Sequence, residues 1–414
     1  MPKPVRMAYI APQIGVLSGT FVYRDIEGLR AQGMEVTVFS VSRPDQSVLS
    51  EEARPFIEEA QYLYDQGAAA FLAAALRQAF HRPGRFARTL GACLHDLVFA
   101  ETPGLVDRPK FVWHFLAGCL LAERLDAAKV AHIHCNFAHT PVDIAMYAAL
   151  LRGIPYSFLC HAADIFIRAT AMREKTARAA FGMCSSRYNL RFLADTKGCD
   201  ESKLDVMRTG LDLRRFACRA PKLFSTPFRF LSVGRLVEKK GFTVFLDALA
   251  LLARRGRDFQ ADVVGGGPLA QGLRAQVERL GLADRVHLTG PQPQEQVRLR
   301  YDEADVFVLA CLEAGNRDMD GTPIVLIEAM ALGVPVISTP VSGNPELITS
   351  GSSGLLVPPG DAGALADAME QLMDDPGLAR NIAENARRTV ETSFDLDSNI
   401  AHLVRAIERA IPRN

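Results

Sequence analysis

Two doubly wound, Rossmann-like α/β domains are what this 414-residue sequence predicts. Short β-rich runs alternate with helix-length amphipathic stretches in both halves, the pattern of parallel sheets. A Pro-containing stretch, Ala220–Pro227, separates the halves like a linker. The chain is also too long for one compact core, so a second domain is expected.

In the first half, strands are expected at Val5–Ile10, Val36–Ser40, Val130–Cys135 and Tyr156–Cys160, with a helix from Thr20 to Gln32 stopped by Gly33. A helical insertion covers about 51–129. Residues 66–95 within it hold Arg77, Arg82, Arg85 and Arg88, no Asp or Glu, and Phe71, Leu72, Leu76, Phe80, Phe86, Leu90 and Leu94. This pattern reads first as a helical layer packed on the sheet. A basic amphipathic pair resting on an anionic bilayer is the competing reading. In the second half, strands are expected at Phe228–Val233, Phe259–Gly265, Val286–Gly290, Val306–Ala310 and Val334–Thr339, each followed by a helix-length segment. Leu396–Ile411 reads as a last amphipathic helix. The expected division is residues 1–219, residues 220–395 and a terminal helix within 396–414.

Composition narrows the function classes. Apolar residues make up 49% and charged residues 23%, ordinary for a globular protein, and the net charge is zero, so nothing global argues for nucleic acid. Residues 1–220 carry 27 basic and 22 acidic side chains, residues 221–414 carry 20 and 25, so an anionic partner would favour the first half. Eight cysteines show no Cys-x-x-Cys pair, which fits free thiols in a reducing cytosol. The apolar run at the start is too short for a signal peptide, and no apolar stretch is long enough to span a bilayer.

The most informative residue is Glu328. It interrupts Ile324–Leu332, a run otherwise apolar on every side, and an all-apolar helix is normally buried. Thr322 reads as the N-cap, Pro323 as the first helical residue and Gly333 as the stop. A buried carboxylate needs a partner or a ligand. Asp320 lies eight residues upstream in the polar loop before the helix. The two acids bracket a helix N-terminus, whose amides and dipole attract phosphate. Amides for phosphate and carboxylates for hydroxyls describe a sugar-nucleotide pocket. A structural Glu paired to a cation elsewhere is the plainer alternative.

Other strand ends carry fitting residues. Gly234-Arg235 and Lys240-Gly241 follow the first strand of the second half and offer a guanidinium fork and a point charge to a diphosphate. Gly265-Gly266-Gly267-Pro268-Leu269-Ala270 matches a dinucleotide fingerprint, but the next strand ends in Thr289-Gly290, with no acid for a ribose. Asp318-Met319-Asp320 resembles the start of a calcium loop, yet the closing position would be Ile327, which cannot ligate, so no metal is expected. In the first half, Gly19, at the end of the turn Pro12–Gly19, would let a ligand approach the backbone. His161-Ala162-Ala163-Asp164 follows a strand directly and can meet a substrate, whereas His132, His134 and His139 read as packing residues.

As a set, these residues resemble the retaining GT-B glycosyltransferases of family four, and the helical insertion resembles that of the bacterial exopolysaccharide and colanic-acid-type members. The resemblance is strongest over Leu231–Asp361 and rests on four elements. These are Gly234-Arg235 with Lys240-Gly241, Asp320-Gly321-Thr322-Pro323 through Glu328, Gly343 to Glu346 with Gly354–Asp361, and His161–Asp164. Asp320 stands where the family has Glu, and Ala162 where it has Gly. The resemblance implies two domains facing across a cleft and transfer of a sugar from a nucleotide diphosphate donor with retention, without cofactor or metal. The acceptor would be a saccharide or a polyprenyl-diphosphate-linked saccharide, and the location cytoplasmic, at the inner face of the membrane if the 66–95 helices dock there. Glu328 would bind ribose hydroxyls, Asp320 the donor sugar, and Gly321 and the amides of Thr322, Ile324 and Val325 the phosphates. Arg235 and Lys240 would stabilise the departing diphosphate, His161 would lie near the sugar on the acceptor side, and Gly19, Gly234 and Gly267 would let the donor approach. A sugar-nucleotide epimerase of the same architecture is one competing reading, but it needs acid and base carboxylates that the first half does not offer. A non-catalytic partner subunit is the other, and it would be expected to lose the cations that are retained here.

Overall fold

The computed structural model describes residues 4–16, 19–44, 51–219 and 223–412, the side chain of Glu51 excepted. Leu17 and Ser18 of the first turn and Ala220–Lys222 of the linker lie outside the described residues. The chain forms two compact units, residues 1–210 with 396–414, and residues 211–395.

The first unit holds a seven-stranded parallel sheet in the order β3-β2-β1-β4-β5-β6-β7. Its strands are β1 (Arg6–Ala11), β2 (Glu35–Ser40), β3 (Gln61–Tyr62), β4 (His132–Asn136), β5 (Tyr156–Cys160), β6 (Phe181–Cys184) and β7 (Leu204–Val206). β4 and β5 are buried at all five residues, as strands covered on both faces must be. Met7 lies beside His132 and Ile10 beside Cys135, and Asn136 beside Leu159, so the carboxyl ends of β1, β4 and β5 come out together. The order runs outward in both directions from β1 and β4, which makes their carboxyl ends the switch point where ligands of such sheets bind.

Three strands of this sheet escape the sequence reading. β6 contains Gly182, which breaks a β pattern, and β3 and β7 are only two and three residues long. β3 also corrects the reading of the 51–129 insertion as wholly helical, because Phe39 and Ser40 pair with Gln61 and Tyr62. The helices Gly67–His81, Pro83–Phe99 and Lys110–Ala127 supply one core through Phe71, Ala74, Cys93, Phe111, Phe115 and Leu121. The opposite face of the sheet is covered by the helices Thr20–Ala31 and Leu396–Ala410. The latter buries Leu396, Ile400, Leu403, Val404 and Ile407, a single stripe at helical spacing, beside Val22, Ile26 and Leu29.

The arginines of the insertion largely hold it in place. Arg77 makes a two-pronged pair with Glu123 (2.8 Å each), Arg82 pairs with Asp126 (2.7 Å), and Arg85 donates to the Arg152 carbonyl. Leu72, Leu76, Phe80, Leu94 and Val98 nonetheless remain exposed on its outer side.

The second unit holds a six-stranded parallel sheet ordered β10-β9-β8-β11-β12-β13. Its strands are β8 (Phe228–Val233), β9 (Phe259–Val264), β10 (Val286–Gly290), β11 (Val306–Val308), β12 (Val336–Ser338) and β13 (Leu355–Leu356). Only the two-residue β13 was not foreseen. β8 and β11 flank the switch point here, with Val306 beside Phe230.

Candidate active site

Two polar clusters form at these switch points, one in each unit. In the second unit, β8 leads through Gly234 and Arg235 to the single helical turn Glu238–Lys240, and β11 leads into the loop that carries Asp318 and Asp320. Lys240 Nζ lies 2.7 Å from Asp320 Oδ2. Lys239 Nζ lies 2.9 Å from Asp318 Oδ1 and 3.5 Å from Asp320 Oδ1. Burial works against the charge on Lys240, but Asp320 outweighs it and the net pKa is raised. Burial opposes the charge on Asp320 too; Lys240 and then Lys239 outweigh it, and its carboxyl stays below the ordinary range. Both partners are therefore charged at neutral pH. Cys311 lies beside them, its Sγ 4.0 Å from Asp320 Oδ2, with its thiol pushed up to about 12 mainly by burial.

Gly241 explains how the two lysines reach this loop. Its φ is +67°, and a Cβ there would lie 1.7 Å from the Ala310 carbonyl oxygen. Only glycine lets the turn press against the end of β11. Arg235 is exposed and makes no ion pair among the described residues. Gly267 has a different explanation from the dinucleotide fingerprint. A Cβ there would lie 2.5 Å from the Leu236 carbonyl oxygen, so the glycine serves the packing of two adjacent loops.

The helix after the loop runs Ile324–Ala331, and Pro323, with ψ 122°, is its cap. The start is one residue later than the sequence suggested, because the Pro323 carbonyl already accepts the Leu326 N–H at 3.0 Å while its own backbone stays extended. No side chain caps this end. The N–H groups of Ile324 and Val325 have no acceptor among the described residues, so the first turn presents open donors. Gly321 accepts the Gly343 N–H at 2.9 Å, which brings the 340–346 turn against the same loop. Asn344, at the start of that next helix, donates to Ser338 Oγ and the Thr339 carbonyl. One helical turn past Ile324, buried Glu328 meets Tyr301, whose hydroxyl is 3.0 Å from the Val325 carbonyl and 3.3 Å from Glu328 Oε2. Burial, and then Glu328, raise the Tyr301 pKa well above its usual value, so the phenol stays a donor.

In the first unit, His161 stands at the end of β5 with both ring nitrogens engaged. One accepts the Asp164 N–H in a capping box, and Nε2 lies 2.8 Å from Asn136 Oδ1. The first contact makes Nδ1 an acceptor, so Nε2 carries the proton and donates to Asn136. Asn136 in turn donates to Tyr9 Oη (2.6 Å) and Asp25 Oδ2 (3.1 Å), and the Tyr9 hydroxyl donates to Asp25 Oδ2 at 3.2 Å. Burial pushes His161 down to about 4 and Asp25 up to about 7. Phe21 and Phe137 flank the imidazole, with ring centroids at 4.8 and 4.6 Å. His161 is thus a neutral, fixed ring rather than a mobile proton carrier. Gly19 caps the helix Thr20–Ala31 and donates its N–H to the Val16 carbonyl at 2.9 Å.

The structure gathers Asp320, Gly321, Ile324, Val325, Glu328, Arg235 and Lys240 at one switch point, with Thr322 in the same loop. Lys239 and Tyr301 join them, and Asp25, Tyr9 and Asn136 join His161. Sequence reasoning passed over all five. The doublet Lys239-Lys240 before Gly241 was a usable signal, since a tight turn can send both side chains to one loop. Nothing local marks Asp25 or Asn136. His132 and His134 are core residues that share Ser157 Oγ at 2.8 Å each.

Comparison with known proteins accords with this layout. The family model for Glycosyltransferase Family 4 matches residues 18–215, and that for Glycosyl transferases group 1 matches residues 215–389. The putative colanic acid biosynthesis glycosyltransferase WcaL of Escherichia coli K12 is 39% identical over 215 residues, 51% of this chain and 53% of the relative. The amylovoran biosynthesis glycosyltransferase AmsK of Erwinia amylovora is 39% identical over 212 residues, 51% and 52% of the two chains. The chain spans about half the length of these curated relatives. Among solved structures, Anabaena HepE in complex with UDP aligns with a TM-score of 0.71 at 16% identity, covering 98% of this chain and 100% of that one. A glycosyltransferase from Rickettsia africae ESF-5 also gives 0.71 at 16%, covering 99% and 100%. At such identities the likeness is one of fold. Taken with the two adjoining family models, it shows that the chain belongs to family four of the GT-B glycosyltransferases.

Proposed function

We propose that the chain is a retaining, metal-independent hexosyltransferase that moves a sugar from a nucleotide diphosphate donor to a saccharide or lipid-linked saccharide in exopolysaccharide or cell-surface glycan synthesis. The observation that carries this reading is the uncapped turn at Ile324 and Val325, set between the Lys239–Asp320–Lys240 cluster and Glu328. Open amides suit the diphosphate, and Glu328 suits the ribose hydroxyls. Lys240 and exposed Arg235 supply the positive charge that a departing diphosphate needs, the main electrostatic task in this transfer. Asp318 and Asp320 are already engaged by lysines, which supports assigning the charge-neutralising role to cations of the chain. Asp320 holds Lys240 in place and faces the donor sugar. With neither ring nitrogen free, His161 acts within its own unit as a neutral shape-defining group rather than as an acid or base.

The WcaL and AmsK names point to colanic acid and amylovoran, and HepE was solved with UDP; these support the polysaccharide setting and a nucleotide donor here. No helix among the described residues is long and apolar enough to cross a membrane. The exposed Leu72, Leu76 and Phe80 support peripheral contact of the 66–95 helices with the inner membrane face, the protein being cytoplasmic. The test is a thermal-shift panel of UDP-, GDP-, ADP- and CDP-sugars in EDTA, with NAD as control. A shift with one nucleotide that Glu328→Ala abolishes is the expected result. A response to NAD alone, or to none, refutes the assignment.

A further inference from the structure

We propose that Lys239 is a positioning residue of the donor site: it keeps the charge of Asp320 matched while Lys240 turns from that carboxylate to the donor diphosphate. This rests on the transferase reading and adds to it a division of roles between two adjacent lysines. All the side chains involved lie in the second unit.

The two ammonium groups take different oxygens of one carboxylate. Lys240 Nζ lies 2.7 Å from Asp320 Oδ2, and Lys239 Nζ lies 3.5 Å from Asp320 Oδ1. Their other commitments differ. Lys239 Nζ also lies 2.9 Å from Asp318 Oδ1 and 3.4 Å from the Met319 carbonyl, so three acceptors from residues 318–320 surround its three N–H donors. The backbone of its turn is fastened to the same loop. The Leu312 N–H donates to the Lys239 carbonyl at 3.0 Å, and the Gly315 N–H donates to Glu238 Oε1 at 3.1 Å. Lys239 is thus buried and anchored. Lys240 is only partly buried and has Asp320 as its one ion-pair partner among the described residues. Of the two, Lys240 is the one able to turn.

A diphosphate that draws Lys240 away leaves Asp320 beside an incoming anion. Without a second cation, burial and like charge would both oppose its ionised form, and it would repel the ligand or take up a proton. The groups that face the pair decide which cation remains. Cys311, 4.0 Å from Asp320, is a neutral thiol, and Asp318 is an anion held to Lys239. Arg235 acts on Lys240 as a like charge, which favours the move of Lys240 to an anion. Lys239 is therefore the cation of this cluster that stays with Asp320.

The sign with pH follows. In the parent, Asp320 stays ionised throughout, and donor binding moves no proton at this carboxylate. With the Lys239 charge removed, binding raises the Asp320 pKa, so protons tighten binding. The deficit is full at high pH and closes as the pH falls through the raised value.

The test measures binding of UDP, GDP, ADP and CDP to the full chain by calorimetry, in buffers of differing ionisation enthalpy, near pH 7.5 and near pH 5.5. The proteins are the parent, Lys239→Met and Lys239→Gln. Each nucleotide's own protonation is common to all three, so the difference from the parent is what is read. Gln retains donors for Asp318 and the Met319 carbonyl but not the charge, which separates charge from tethering. Expected in both variants is an affinity loss of about tenfold near pH 7.5 that shrinks to about threefold or less near pH 5.5. An added uptake of roughly half a proton or more should accompany binding. Asp320→Asn in the Lys239→Met background should abolish the added uptake, and Asp318→Asn in that background should keep it. Uptake equal to the parent's in Lys239→Gln, an affinity loss independent of pH, or added uptake that survives Asp320→Asn overturns the proposal. A parent that binds none of the four nucleotides overturns the transferase reading itself. A parent that binds one, with Lys239 variants that behave as it does, overturns this proposal and spares that reading.

Discussion

Replacing Lys240 by Met keeps most of the side-chain volume and removes only the charge. The geometry then sets two magnitudes. At 2.7 Å and an effective dielectric near 20, the Lys240–Asp320 attraction is roughly 6 kcal/mol before desolvation is subtracted. Without Lys240, Asp320 keeps only Lys239 at 3.5 Å, and that ammonium is nearer Asp318 at 2.9 Å. Removing one partner of a buried pair costs about 3–5 kcal/mol, and the remaining Lys239 argues for the lower end. The sign with pH follows from Asp320. Its folded pKa lies below the unfolded value of 3.8, so its stabilisation is present above that value and is lost as the pH falls through the folded pKa. The variant should therefore be weaker than the parent in urea at pH 7, and the gap should narrow in acid. Separately, loss of the cation at the departing diphosphate should lower kcat/KM by roughly 2–4 kcal/mol, about 30- to 1000-fold. Asp320→Asn in the Lys240→Met background relieves the buried charge and should restore stability without restoring turnover. Transfer within threefold of the parent in Lys240→Met, or recovery of turnover along with stability, would refute the reasoning.

Three further outcomes follow. Gly241→Ala should destabilise by more than the roughly 1–2 kcal/mol of a left-handed residue alone, because the Ala310 carbonyl blocks its Cβ; an unchanged melting temperature would contradict the contact. Asn136→Leu strips the His161 Nε2–H of its acceptor and leaves Asp25 with one donor fewer, at a cost of about 1–3 kcal/mol. Nitrogen NMR of the parent should show the Nε2–H tautomer, and finding Nδ1–H there would undo the hydrogen-bond assignment. His132 and His134, lowered to about 3 from 6.5 by burial, and His161, lowered to about 4, make the unfolded chain hold three extra protons below pH 6.5. Asp25, raised to about 7 by burial, opposes them by one. Stability should thus fall as the pH drops from 6.5 to 4.5, on the order of 2–3 kcal/mol per unit, and urea midpoints that stay flat or rise would contradict it.

How much was legible varies with how local the cause is. Alternating β and helical patterns located nine of the thirteen strands; seven of these are five or six residues long, and the three-residue β11 and β12 lie within the longer apolar runs Val306–Ala310 and Val334–Thr339. The missed strands run from two to four residues and exist only because a neighbour supplies the hydrogen bonds, as Phe39 and Ser40 do for Gln61 and Tyr62. Glu328 stood out because a carboxylate in an apolar helix is anomalous on its face. Tyr301 did not, since a buried tyrosine is unremarkable until its hydroxyl is seen against Glu328. The 66–95 pattern was legible as a helical layer packed on the sheet, but the acids that meet its arginines were not, because Glu123 and Asp126 lie some forty residues away.

By itself the sequence determined the two α/β sheets, the switch-point loop bearing Asp320, the helix bearing Glu328 and the retained cations Arg235 and Lys240. Each is written in residues adjacent in the chain, where propensity, periodicity and spacing act. The tertiary structure alone decided that Lys239 shares Asp320 with Lys240 and that His161 is held through Asn136 by Asp25. Those facts depend on which strand ends meet and on what water is excluded from them, and a linear pattern contains neither.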